Sequence, residues 1–109
     1  MRNLTMLTDL YELTMMYGYF KKGMHTREAV FDMFFRRPVG ESAYAVMAGV
    51  EQLIELVNNL HFGPEDIAYL RSLGLFDEEF LDYLSKFRFT GEIYAIPEGT
   101  IVFPGEPLV

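Results

Sequence analysis

Between Thr8 and Gly23 the apolar residues recur at helical spacing, and they do so on two sides. Leu10, Leu13, Met16, Tyr17 and Phe20 share one broad stripe at about 100° per residue, the width of an ordinary core face. A second, narrower stripe holds Tyr11, Met15 and Tyr19, with Gly18 beside it. A helix apolar on two sides is either buried on both or lines a pocket with one of them. Its ends are marked as well. Asp9, three residues before Glu12, predicts a capping box; Lys21 and Lys22 suit the last turn, and Gly23 supplies a left-handed stop.

The pattern then changes. Ala29 to Arg37 is β-prone and almost wholly apolar, and Pro38 stops it. Alternation puts Phe31, Met33, Phe35 and Arg37 on one face and Val30, Asp32, Phe34 and Arg36 on the other. Both faces are largely apolar, which predicts a central strand covered twice. Val39-Gly40-Glu41-Ser42 reads as a turn and Tyr44–Ala48 as a second strand ended by Gly49.

Three helices follow. Val50, Leu53, Ile54, Val57 and Leu60 carry the first, over about 50–60. Pro64, at a first-turn position before two acids, opens the second, which buries Ile67, Leu70 and Leu73 and stops at Gly74. Asp77 caps the third, through about Lys86, with Phe80, Leu81 and Leu84 inward. Strands are predicted again at Glu92–Ile96 and Thr100–Phe103, divided by the Pro97-Glu98-Gly99 turn. A further turn, Pro104-Gly105-Glu106-Pro107, leads into Leu108-Val109, which reads as an element begun and not finished. Helix, strands, helices, strands is an α+β order, with the helices packed on a mainly antiparallel sheet in one domain spanning 1–109.

Composition alters this picture in two places. Half of the 109 residues are hydrophobic and 16% are aromatic, which is rich for so short a chain. Either the core is dense in rings or some apolar surface is meant for a partner. The net charge of −7 excludes a general nucleic-acid binder, which needs a basic field. With no cysteine there is no disulfide framework and no thiolate chemistry, and a cytoplasmic setting is the default. No apolar run reaches the length of a membrane span, so no membrane partner is expected.

Few residues suggest chemistry. His25 and His61 lie far apart without metal-ligand spacing, no nucleophile elbow is present, and no glycine-rich loop cradles a phosphate. Arg36 and Arg37 stand out as a basic pair on a greasy strand in an acidic chain. They point to opposite faces; one reading is solvation of both, the other is that one looks into a cleft and binds phosphate or carboxylate through paired hydrogen bonds. Tyr11 is the second candidate. A helical tyrosine is ordinarily a core residue, but this one stands at the helix start, beside its cap Asp9, where a ring can face a cavity.

Four motifs in order resemble those of nicotinate phosphoribosyltransferases: Leu7-Thr8-Asp9-Leu10-Tyr11-Glu12-Leu13-Thr14-Met15, Phe34-Phe35-Arg36-Arg37-Pro38, Tyr44-Ala45-Val46-Met47-Ala48-Gly49, and Pro97-Glu98-Gly99-Thr100 with Phe103-Pro104-Gly105-Glu106-Pro107-Leu108. The resemblance covers essentially the whole chain. It departs at Val39-Gly40-Glu41-Ser42, where the family commonly has a Phe-Gly-Gly-type turn. The resemblance implies the N-terminal domain of a type II phosphoribosyltransferase, with the larger barrel domain outside this chain. It implies a reaction of nicotinate with phosphoribosyl pyrophosphate to give nicotinate mononucleotide, coupled to ATP hydrolysis with Mg2+, in NAD salvage. It implies that Tyr11 stacks on the pyridine ring in a homodimer's shared site, and that Arg36 or Arg37 contacts a substrate phosphate. Neither histidine sits in the context of the family's phosphorylated histidine. One aromatic wall and one cation do not make a catalyst for displacement at an anomeric carbon, so the 109 residues alone are expected to be inactive. The alternative is a non-catalytic remnant or a dimerisation module working through its apolar surface.

Overall fold

The computed structural model describes residues 2–38 and 40–109. Val39, within the expected turn, lies outside the described residues. The elements are α1 (Leu10–Lys21), β1 (Ala45–Val46), α2 (Val50–Asn58), α3 (Pro64–Ser72), α4 (Glu78–Ser85) and β2 (Ile101–Val102). The order is α+β. The chain divides into two compact units, one of Met1–Glu28 with Leu56–Phe89 and one of Ala29–Glu55 with Thr90–Val109.

The first unit is helix against helix. Leu13 of α1, Phe62 of the loop before α3, Ile67 and Leu70 of α3, and Phe80, Leu81 and Leu84 of α4 form its buried core. Met16, Tyr17 and Phe20 pack against that core from α1, as their stripe predicts. Phe80 is fully buried, and Tyr17 meets it edge-on with ring centroids 5.1 Å apart. Rings so arranged add to plain burial because the positive edge of one faces the negative face of the other. Leu10, placed on the core stripe by its spacing, is instead 49% exposed. It is the first helical residue and lies beyond the last layer of core side chains.

The helix ends follow local chemistry. Gly23, at φ 66°, ends α1 and leaves Met24 N–H to bond the Tyr19 carbonyl at 2.8 Å. Asp77 Oδ1 accepts from Phe80 N–H at 2.9 Å and so caps α4. The other oxygen of Asp77 meets Lys21 Nζ at 2.6 Å, which ties the end of α1 to the start of α4. Before α1, Thr5 is buried and fully engaged: its hydroxyl donates to Asn3 Oδ1 and accepts from His61 N–H.

The second unit holds the sheet. β1 and β2 pair antiparallel, Ala45 opposite Val102 and Val46 opposite Ile101. Two bonds of 2.8 Å extend the pairing, Met47 N–H to the Thr100 carbonyl and Gly99 N–H to the Met47 carbonyl. Leu108 is bonded on both sides: it donates to the Met33 carbonyl at 2.8 Å and accepts from Ile96 N–H at 2.9 Å. Met47, Val102 and Leu108 are the buried core here, with Phe35, Ala45, Val50, Ile96 and Val109 packed on it.

Two expectations are corrected. Residues 29–37 form no strand and are not covered on two faces: Val30 is 93% and Phe31 87% exposed, and of the run only Phe35 packs on the core. Among the described residues backbone bonds from outside reach this run only at Met33 and at the Phe35 carbonyl, too few partners for its β-propensity to make a strand. Glu92–Ile96 is likewise no strand; Ile96 alone is tied in, through Leu108. Val50 of α2 packs on the sheet's cluster.

Candidate functional site

The start of α1 carries the first candidate. Asp9 is its N-cap residue, with extended backbone at φ −80° and ψ 147°. Glu12 closes the turn from inside: its Oε2 accepts from Asp9 N–H at 3.1 Å and from the Thr8 hydroxyl. The Asp9 carbonyl in turn accepts from Glu12 N–H at 3.1 Å. Leu10 and Tyr11 are the residues held between these bonds. Leu7, Thr8, Asp9 and Glu12 line an open depression at this end of the helix. Tyr11 is outside that lining and 60% exposed, so its ring is presented to solvent. Met15 and Tyr19, the rest of its stripe, are exposed too. The narrower stripe of α1 is thus uncovered along its length, while the broad stripe is mostly spent on the core.

Arg36 and Arg37 form the second candidate, in the other unit. They sit at a bend and not within a strand. The bend is anchored just before them, where the Phe35 carbonyl accepts from Gly105 N–H at 3.0 Å. Glu106 Oε2 accepts from Phe103 N–H at 2.9 Å and closes the turn that carries Gly105. Both arginines are exposed, and among the described residues neither meets a carboxylate. Of the seven other lysines and arginines three are matched among the described residues, Lys21 with Asp77, Arg71 with Glu78 and Lys86 with Asp82, so the arginine pair stands out by being adjacent and not by being unpaired. Two unmatched guanidinium groups in a chain of net charge −7 are a ready seat for an anion. The bend leaves both open to it. Tyr11 and Asp9 stand together in the first unit, and Arg36 and Arg37 in the second.

The histidines are occupied. His25 lies against Phe20 and Tyr83, with ring centroids 4.9 and 5.1 Å away, and His61 Nδ1 is 2.7 Å from the Asn59 carbonyl. Among the described residues no three His, Asp or Glu side chains gather where they could hold a metal ion, and no helix is long and apolar enough to cross a membrane. The groups with displaced protonation belong to the helical unit. Lys21 beside it, and then the Phe80 N–H, hold the Asp77 carboxyl below its ordinary value, and Arg71 does the same for Glu78.

Sequence reasoning passes over Glu98. Its Oε1 accepts from Gly49 N–H at 2.8 Å and Val50 N–H at 2.6 Å, so a carboxylate from a distant turn caps α2. The legible signal is negative. α2 opens behind Gly49, at φ 106°, with no side chain of its own to take up its first amides. Some acceptor must come from elsewhere, and the sequence does not say which.

Comparison with known proteins places this arrangement. Residues 6–109 match the model of the nicotinate phosphoribosyltransferase N-terminal domain. A nicotinate phosphoribosyltransferase of Mycobacterium tuberculosis is 46% identical over 105 residues, 95% of this chain and 22% of the relative. That of Bacillus subtilis is 40% identical over 107 residues, 98% of this chain and 22% of the relative. That of Dictyostelium discoideum is 39% identical over 106 residues, 95% of this chain and 18% of the relative. The chain spans about a fifth of the length of these relatives. With the match running from Met6 to Val109 and through both candidate sites, the chain belongs to the nicotinate phosphoribosyltransferase N-terminal domain family.

Proposed function

We propose that this chain supplies the N-terminal part of the active site of a nicotinate phosphoribosyltransferase of the type II fold. In that reaction the pyridine nitrogen of nicotinate attacks the anomeric carbon of phosphoribosyl pyrophosphate, a nitrogen–carbon bond forms, and pyrophosphate leaves with the bonding pair. Tyr11 is the wall on which the flat pyridine ring stacks, Asp9 fixes the helix start that carries it, and Arg36 or Arg37 holds a substrate phosphate. The whole enzyme couples the reaction to ATP hydrolysis with Mg2+, acts in NAD salvage in the cytoplasm, and is a homodimer. Among the described residues no three His, Asp or Glu side chains gather into a site for the magnesium ion. The observation that carries the reading is the family match over 6–109, together with a capped helix start that turns Tyr11 outward.

The test is an exchange. This chain replaces the matching region of the Bacillus subtilis relative, and formation of nicotinate mononucleotide is measured. The exchanged enzyme is expected to be active and the 109 residues alone inactive. Tyr11→Ala should raise KM for nicotinate about three- to tenfold, the range of one aromatic contact, with Tyr11→Phe near the parent. Of Arg36→Ala and Arg37→Ala, the one that removes the phosphate contact should raise KM for phosphoribosyl pyrophosphate by roughly ten- to a hundredfold. Unchanged kinetics in all three variants would remove the assignment.

A second reading, a non-catalytic module that associates through apolar surface, is favoured by the exposure of Val30, Phe31 and Phe34. It predicts an inactive exchange and a chain that self-associates.

A further inference from the structure

The ring of Tyr11 has nothing of its own to hold it. Among the described residues the ring stacks on no other ring and the hydroxyl has no hydrogen bond; beyond the bonds of the helix itself, the Tyr11 carbonyl accepts from Thr14 Oγ1 at 2.9 Å. Tyr17, one and a half turns on, is held by contrast between Phe76 and Phe80. The direction of the Tyr11 ring therefore rests on the backbone of the first turn of α1. First turns fray, because their amides have no partners within the helix. Here one carboxylate prevents that. Glu12 Oε2 takes both the Asp9 N–H and the Thr8 hydroxyl, so residues 8 and 9 are pinned to residue 12 with Tyr11 between them. No basic side chain is paired with Glu12 among the described residues, so its acceptor capacity goes to this turn.

We infer that Glu12 is the positioning residue for Tyr11: its carboxylate, bonded to Thr8 and Asp9, fixes the turn that aims the exposed ring. The inference rests on the proposed role of Tyr11 for its meaning in catalysis, and on the contacts of Glu12 for its mechanism. Glu12 touches no substrate in it. A capping glutamate with no further duty would stabilise α1 and leave the direction of one exposed ring indifferent. A positioning one makes the population of ring rotamers depend on the carboxylate.

Two measurements decide. In the 109-residue chain, the couplings between the α and β protons of Tyr11 report its rotamers by nuclear magnetic resonance. The wild type should show only the two rotamers that helical backbone allows, with χ1 near +60° empty; Glu12→Ala should let the turn fray and populate all three, and Glu12→Gln, which keeps an acceptor oxygen, should return the wild-type pattern. Tyr19, at the far end of the same stripe, should be unchanged throughout. Couplings of Tyr11 that ignore Glu12→Ala, or an equal change at Tyr19, overturn the inference. In the exchanged enzyme, Glu12→Ala should raise KM for nicotinate about two- to fivefold without changing kcat or KM for phosphoribosyl pyrophosphate. It should add nothing to Tyr11→Ala, since it acts through that ring. Full additivity overturns it. If Tyr11→Ala leaves nicotinate KM unchanged, the ring-stacking reading fails by itself, and the couplings still decide whether Glu12 aims the ring.

Discussion

At the scale of single residues, the carboxylates divide the labour. Glu12 and Glu98 each close a helix start, Glu106 closes a turn, and Asp77 joins two helices. Asp77 gives a pH prediction. Its folded value lies below the ordinary 3.8, because Lys21 and the Phe80 N–H both favour the charged form. The stability it contributes is therefore complete above the unfolded value and is lost as pH falls through the depressed folded one. Lys21 is raised above 10.5 by the same contact, so at the alkaline end the contribution is lost as pH rises through the raised value. Asp77→Asn keeps an acceptor for Phe80 N–H and removes the ion pair. Thermal melts between pH 2 and 7 should show a shallower acid decline for this variant than for the wild type, and the gap at neutral pH should shrink with added salt, because the pair is partly exposed.

At the scale of elements, the helices were legible, while of four expected strands only those at 44–48 and 100–103 are found, as β1 and β2, for a physical reason. A helix closes its own hydrogen bonds, so Asp77, Pro64, Gly23 and Gly74 mark its ends from within the local sequence. A strand exists only with a neighbour. The run 29–37 has the composition of a central strand, yet the backbone that meets it arrives at Met33 and Phe35 alone, from residues more than sixty positions later. For the same reason Arg36 and Arg37 sit at a bend and not on opposite faces of a strand. The candidates themselves were legible as residues; what fixes them was not. Glu12 lies within the motif around Tyr11, but Gly105 and Glu106, which anchor the bend before Arg36, lie far along the chain. Glu98 offers the element-scale test. Glu98→Ala strips the Gly49 and Val50 amides of their acceptor and should cost about 0.5–2 kcal/mol, as loss of an N-cap does. Hydrogen exchange should quicken in the first turn of α2 and stay unchanged in α3 and α4; uniform quickening would contradict a local cap.

At the scale of the whole molecule, apolar side chains stand in water in both units: Tyr11, Met15 and Tyr19 in one, Val30, Phe31 and Phe34 in the other. Exposed apolar side chains in such number drive association. Light scattering should show an apparent mass that rises with concentration. Phe31→Asp should lower that rise without lowering the melting temperature, since Phe31 contributes little to either core. The bonding through Leu108 has a consequence of another kind, for the order of events as the chain is made. The helical unit needs nothing beyond Phe89, and its closure can begin once α4 is available. The sheet unit joins Met33 to Leu108 and Val109 across some seventy-five positions, and Ile96 to the same Leu108. Its bonds cannot close until Leu108 and Val109 have been synthesised, and closing so long a loop is slow. Through that interval the run from Val30 to Phe34 has no backbone partner at all. Synthesis thus leaves an unpaired, greasy segment waiting while the helices settle, and a nascent chain stalled after Phe103 should be helical, protease-sensitive between Ala29 and Glu41, and prone to capture by chaperones.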